Sequence, residues 1–469
     1  MQSQREQRGH TYMQWIVASI ANLCTLAYGM DVGWISPMTK ILQSDASPLG
    51  FPVSDETMSW VASVLCIAGT LGVVIFSYLA DKIGRKWTIA ALLIPQTLSL
   101  SLRLFSPTIE ALIIGRILAG ISGGGSFIVI PMYVKEISQE SLTGILVSLQ
   151  ILYQNIGILI IYIIGIYLDY YSTLWIISAV PVITLVLLLK SPESPAFLVK
   201  QEKIDEAYKV VAWLRGLECN DKRVENEIES MQRLDAEFRS MPNLNLSTIL
   251  KDNAWRKGTI VAVIFFTIQS FNGGLSIVTF GASILESTGV EFNINSEYQA
   301  LGFPTIMIIS SLLLTTVVEK YGRKVLLMGS FAVSAIALLS LAIASLSASY
   351  GGSIPNWLPI VCLMLSVAMF YGVIGPVAYV VTTEMFTFQI RGKLMGIVCS
   401  YLWIAFFIPL VIYAPISTAF GQCANFFIFG IVNVIGVVFT LLFIPETKGR
   451  TDEEIRVALV GRRKDDGSV

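Results

Sequence analysis

Asp31 sits in "YGMDVGWISP", a carboxylate inside an apolar run. In hydrocarbon such an acid must be partnered or protonated, and it marks an ion or proton pathway by default. Much later, "QSFNGGL" opens a series in which Gln269, Asn272, Gly273, Ser276 and Phe280 stand at i, i+3, i+4, i+7 and i+11. In one continuous helix these residues share a face. Amides, small residues and an aromatic ring suit a polyhydroxylated ligand, with amides bonding hydroxyls and the ring covering an apolar side. Gln150, Tyr153, Gln154 and Gly157 offer a second such face. Small polar residues that only hold helices together have the same spacing. Bond-making chemistry has no comparable support. The one histidine, His10, lies in the N-terminal tail, so neither a histidine relay nor a zinc site is expected. With no nucleotide loop or nucleophile constellation, an enzyme, a metal and a cofactor are all unexpected. The cysteines lack Cys-x-x-Cys spacing and read as small buried hydrophobes.

The elements that must position these residues are membrane helices. The 469 residues are 54% hydrophobic and only 14% charged, too little polar surface to cover the chain in water. A net charge of −1 gives no field that would attract nucleic acid. Twelve apolar runs reach spanning length, from 13–36 to 423–444, with the seventh at 256–285 and the tenth at 356–385. Between the sixth and seventh lies a polar stretch rich in Glu, Lys and Arg at helical spacing. The expected organisation is a tail (1–12), a six-helix bundle (13–190), a helical linker (191–255), a second six-helix bundle (256–445) and a second tail (446–469). The expected class is an all-α membrane protein of twelve transmembrane helices in two halves. Lys and Arg crowd the loops on one side, which places both termini and the linker in the cytosol. Arg103 reads as a cation near the outer end of a helix.

The halves repeat. Asp81, Gly84 and Arg85 of "LADKIGRK" recur as Glu319, Gly322 and Arg323 of "EKYGRK", an offset of 238. Glu136 and Gly144 recur as Glu384 and Gly392 at 248, and "PES" with Glu193 recurs as "PET" with Glu446 at 253. Three ordered matches argue for parallel halves that rock about a substrate site. Charges at helix ends that pair in one state and part in another form a gate, here Asp81, Arg85, Glu136, Glu193, Glu319, Arg323, Glu384, Arg391 and Glu446. Topology signals that snorkel to the interface would be the plainer use of the same charges.

From about residue 13 to 457 the chain resembles the sugar porter family of the major facilitator superfamily. The resemblance rests on "LADKIGRK", "GRILAGISGG", "YVKEIS", "SPESPAFL", "EKYGRK", "GPVAY", "IRGK" and "PETKGRTDEEI". "PAFLVKQEKIDEAYKVVAWLRG" and "NIGIL" look most like the insect facilitated trehalose transporter group. The resemblance implies a plasma-membrane carrier of a mono- or disaccharide such as trehalose or glucose, passive or proton-coupled, with a monomer as the working unit. A non-transporting sugar sensor on the same fold is the alternative from another class. It implies sugar contacts at Gln269, Asn272, Gln150, Gln154 and Phe280, with Tyr379 in place of a tryptophan platform and Trp403 on the eleventh helix. In proton-coupled members an acid at the position of Asp31 pairs with the arginine of the fourth-helix Gly-Arg motif, here Arg116. The chain departs from the family at Thr143 and Ala196, where arginines are usual, and at Ser270, Leu275, Met307 and Tyr371 within the sugar motifs.

Overall fold

The structure is a computed structural model that describes residues 10–240, 246–287, 295–352, 354–386, 388–448, 450, 454, 455 and 457. The 1–9 stretch of the N-terminal tail and most of the C-terminal tail therefore lie outside the described residues, as does the side chain of Glu319. Among the described residues, eleven helices are long and apolar enough to cross a membrane. Gly302–Tyr321, a 20-residue helix, occupies the eighth place in the expected series of twelve.

Three spans are not single rods. The first runs Tyr12–Gly33 and resumes as Ile35–Leu42. The seventh is cut into Asn253–Ser270, Gly274–Thr279 and Gly281–Ser287. The tenth passes from Trp357–Met369 through a π-helical turn, Phe370–Ile374, into Gly375–Glu384. Apolar side chains such as Leu71, Val74, Ile94, Ile336 and Ile343 are exposed around the spans, as a hydrocarbon solvent requires.

The chain forms two compact units. Unit 1 comprises 1–31, 68–158 and 169–242, and unit 2 comprises 32–67, 159–168 and 243–469. Unit 1 holds a core in which Val17, Ala21, Leu92, Tyr133 and Leu146 are buried together. Its polar segment folds as short helices, Pro195–Lys200, Ile204–Arg215 and Lys222–Ser240, around Leu198, Val211 and Ile228. Arg215 ties this layer to the fourth span by donating to the Ile137 carbonyl at 2.8 Å. In unit 2 the ninth span, Arg323–Ser349, packs along the twelfth, Gln422–Phe443.

Without a hydrophobic force between helices in lipid, close backbone approach does much of the holding. In the fourth span, Ile109–Ile137, Gly124 lies on the backbone of Gly69 in the second span, Asp55–Ile83, so a Cβ there would overlap the Gly69 carbonyl oxygen. Gly144, near the start of the fifth span, Glu140–Tyr167, is the opposite case: a Cβ there would meet nothing within 4 Å. In a helix Ala is favoured over Gly by about 1 kcal/mol, while overpacking costs about 1–3 kcal/mol. Gly124→Ala is thus expected to lower the Tm of the purified protein in detergent, and Gly144→Ala to leave it unchanged or raise it.

Candidate solute-binding site

The site in unit 2 is built on the two interrupted spans. The seventh breaks after Ser270 because Gly273 adopts φ 95°, left-handed backbone that favours glycine. Asn272 turns its Oδ1 onto the Gly274 N–H at 2.9 Å and so caps the next segment. The Asn272 carbonyl, freed by the break, accepts from Asn433 Nδ2 at 2.9 Å. Asn433 is fully buried on the twelfth span, where the same amide group also bonds the Phe429 carbonyl. Broken backbone at membrane depth needs such a partner, since no water is there to serve.

Against this break lies the π turn of the tenth span. Gly274 packs on the Phe370 ring, and Gln269 Nε2 lies 3.9 Å from where a Cβ on Gly375 would sit. The Phe370 ring meets Tyr371 edge-on at 4.8 Å, and Tyr379 meets Phe266 at 5.4 Å. Trp403 is buried on the eleventh span, Phe388–Phe420. Gln269 Oε1, Asn272 Nδ2 and the Tyr371 hydroxyl are buried without a protein hydrogen-bond partner. Buried polar atoms are paired in the large majority of cases, so these three stand out beside the breaks in the two helices.

One expectation is corrected here. Phe280 does not continue one helical face from Gln269, because the helix stops at Ser270 and again at Phe280. Its ring stacks instead on Tyr413, centroids 4.6 Å apart and planes 11° apart. Tyr371, noted in the sequence only as a departure, stands on the π turn with its hydroxyl buried and unpaired. The signal was present in "QSFNGG", since Asn-Gly-Gly is a turn signature that interrupts a helical period. In unit 1, Gln150 and Gln154 are buried on the fifth span, and Gln150 donates to the Ser126 carbonyl at 3.2 Å.

Asp31 has different partners from those expected. Its carboxylate takes Arg103 Nη2 on one oxygen and Gln96 Nε2 on the other, both at 2.5 Å. Arg116 donates to the main-chain carbonyl of Asp31. Arg103 stands in the last turn of the third span, Arg85–Phe105, but folds back along its own helix to Ser99 and is fully buried. Side chains on a helix point toward its N-terminus, which carries the guanidinium inward. Gln96, Ser99 and Arg103, at i, i+3 and i+7, were legible as a polar stripe.

The repeated charged hinge is a clamp within each unit. In unit 1 Gly84 turns at φ 97°, and Glu193 caps the third span by accepting from the N–H groups of Arg85 and Lys86 at 2.9 and 3.0 Å. Arg85 pairs with Glu136 at 2.9 Å, with Asp81 at 3.6 Å, and lies over the Phe197 ring. Ser194 donates to Glu136, and Thr143 spends its hydroxyl on the Gln139 carbonyl. In unit 2 Gly322 turns at φ 83°, Glu446 caps the ninth span at Arg323 and Lys324, and Arg323 reaches Glu384 at 3.4 Å. Arg391 donates to the Phe386 carbonyl at 3.1 Å. The lysines match as well: Lys86 bonds the Leu189 carbonyl and Lys324 the Leu441 carbonyl, the ends of the sixth and twelfth spans.

Apolar spans, helices broken opposite one another and the doubled clamp define a multi-pass membrane carrier. Its fold is that of the major facilitator superfamily: the xylose transporter XylE from E. coli, in an inward-open conformation, superposes with a TM-score of 0.79 at 19% identity, over 95% of this chain and 99% of that one. The proton:xylose symporter XylE bound to a bromodeoxyglucose superposes at 0.74. Residues 17–459 match the family model described as "Sugar (and other) transporter", and the chain belongs to that family. It is a transporter, not an enzyme. Among its relatives, the facilitated trehalose transporter Tret1 of Culex quinquefasciatus is 28% identical over 98% of this chain and 88% of its own length. That of Polypedilum vanderplanki is 27% identical over 98% and 90%.

These contacts can be tested singly. Asn433→Ala strands the buried Asn272 carbonyl, a loss of about 1–3 kcal/mol, and is expected to lower the Tm and the transport rate together. Glu446 is pushed up by partial burial, but the N–H groups of Lys448, Arg323, Lys324 and Thr447 outweigh that and hold its carboxyl below the ordinary 4.5. A depressed folded pKa means that the cap stabilises fully above the ordinary value and is lost as the pH falls through the lower one. Thermal unfolding below pH 4.5 is expected to show acid destabilisation that Glu446→Gln reduces.

Proposed function

We propose that the protein carries a mono- or disaccharide, trehalose foremost, down its gradient across the plasma membrane, as a monomer with both termini in the cytosol. The observation that carries the reading is the trio of unpaired buried atoms at the two breaks, Gln269 Oε1, Asn272 Nδ2 and the Tyr371 hydroxyl. They supply an acceptor, a donor and a group that is both, which matches the mixed demands of sugar hydroxyls. Relatives described as facilitated trehalose transporters support the choice of cargo and of passive movement. In this reading the clamps at Gly84 and Gly322 are the two-state elements of alternating access between two six-helix halves.

The charge set around Asp31 favours passive transport over proton symport. One carboxylate lies among two buried guanidiniums, Arg103 and Arg116. Neutralising it would break its buried ion pair with Arg103, and breaking a buried pair by removing one partner costs about 3–5 kcal/mol. Asp31 therefore serves as a fixed counter-ion, and Asp31→Asn is expected to impair folding rather than uncouple a proton.

Flux into liposomes is the test. Trehalose or glucose is expected to equilibrate without accumulating when the outside is acidic, and accumulation above equilibrium would establish symport instead. Gln269→Ala is expected to raise the Km about tenfold, the effect of one lost buried hydrogen bond. Tyr371→Phe tests the residue that the sequence motifs did not assign, with a similar direction expected. An unchanged Km in both would move the site elsewhere.

A further inference from the structure

At the end of unit 2 away from Gly322 lies a cavity of about 350 Å³, lined by residues from five spans. Its mouth has exposed Asp55, Ser287 and Thr418, and its floor has buried Met58, Ser59 and Ala414 together with the stacked rings of Phe280 and Tyr413. The walls are a network of amides and hydroxyls. Gln43 Nε2 donates to Asp55 Oδ1 at 2.6 Å, Ser417 donates to Gln422 Oε1 at 2.6 Å, and the Gln422 amide reaches the Tyr413 hydroxyl. Gln43 and Ser283 also line an adjoining cavity of about 250 Å³ beside the Lys40–Glu297 ion pair.

Ser59 gives the cavity its meaning. It is fully buried, lines the floor and has no hydrogen-bond partner for its hydroxyl. A buried hydroxyl left unmade is unfavourable, and native structures keep such groups where a guest or an ion completes them. No lysine or arginine lines the larger cavity, and its one formal charge is the Asp55 carboxylate. That excludes an anionic guest and leaves a carboxylate with acceptor capacity beyond the bond to Gln43. The floor is aromatic and the walls are hydroxyl and amide, which suits a neutral molecule with an apolar face and many hydroxyls. The volume falls in the usual range for a small-ligand pocket.

We infer that this cavity is a second sugar site, separate from Gln269 and Asn272, that holds a neutral mono- or disaccharide through Ser59, Asp55 and the Phe280–Tyr413 floor. It rests on the proposed sugar-carrier reading for its ligand. As a waiting site, it would raise the local concentration of cargo at this end of the protein.

The test uses the full-length protein purified in detergent, so that both ends are accessible. Ser287→Cys at the rim, with Cys423→Ser and Cys219→Ser to remove the other accessible thiols, is labelled with a methanethiosulfonate reagent. Trehalose and D-glucose are the probes, and glycine betaine is the osmotic control. Labelling is expected to slow with either sugar and not with betaine, and the protection is expected to survive Gln269→Ala. Ser59→Ala and Asp55→Ala are each expected to raise the half-protecting sugar concentration about five- to tenfold, the effect of one lost hydrogen bond. Protection that vanishes with Gln269→Ala, or that ignores both Ser59→Ala and Asp55→Ala, would overturn the second site. Liposome flux keeps the two readings apart. Protection without flux retains the site and rejects the carrier, while flux without protection retains the carrier and rejects the site.

Discussion

Every main-chain N–H and C=O at membrane depth must find a partner inside the protein. The seventh span violates helical continuity where the candidate site lies, so the rest of unit 2 is arranged to repair it. Asn272 repairs the donor side with its own side chain, and Asn433 repairs the acceptor side from another helix. Gly273 then packs its open backbone on Phe429, one helical turn before Asn433 on the same span. The π turn at Phe370–Ile374 supplies the facing wall. Beside these repairs, the side-chain atoms Gln269 Oε1 and Asn272 Nδ2 stay unpaired.

The charged clamps answer a different constraint. A tight loop between two spans leaves the second helix with bare N–H groups, and a carboxylate from a distant segment satisfies them while its neighbours fix the arginine. Glu193 and Glu446 do this in both units, with lysine closing the other side on a helix C-terminus. In both units the glycine makes the turn, while the arginine and the lysine each make a bond of their own. At the position where an arginine is usual, Thr143 bonds the Gln139 carbonyl, and Glu136 is held by Arg85 and Ser194.

Much of this was legible beforehand. Apolar run length marked the spans, and the order of charges marked the repeat, because both are properties of single segments. The amide stripe at Gln269 and Asn272 was visible too, but its extension to Phe280 assumed an unbroken helix, and Asn-Gly-Gly argued otherwise. Tyr371 was hidden because a hydroxyl on an apolar helix carries no pattern of its own. Arg103 was placed near a helix end, where it stands, but its sequence position says nothing about which way a long side chain folds. Asp31 stood out as a buried acid, whereas its partners depended on packing between spans, which no local spacing encodes.

The cluster at Asp31 has an electrical side. A buried carboxylate and two buried guanidiniums place charge inside the membrane-spanning helices. If the helices that carry it shift along the membrane normal during turnover, that charge moves through the membrane potential although the cargo is neutral. A full crossing is worth about 2.3 kcal/mol per charge per 100 mV, and a partial shift a proportional share. The balance between the carrier's two states would then follow the voltage of the cell.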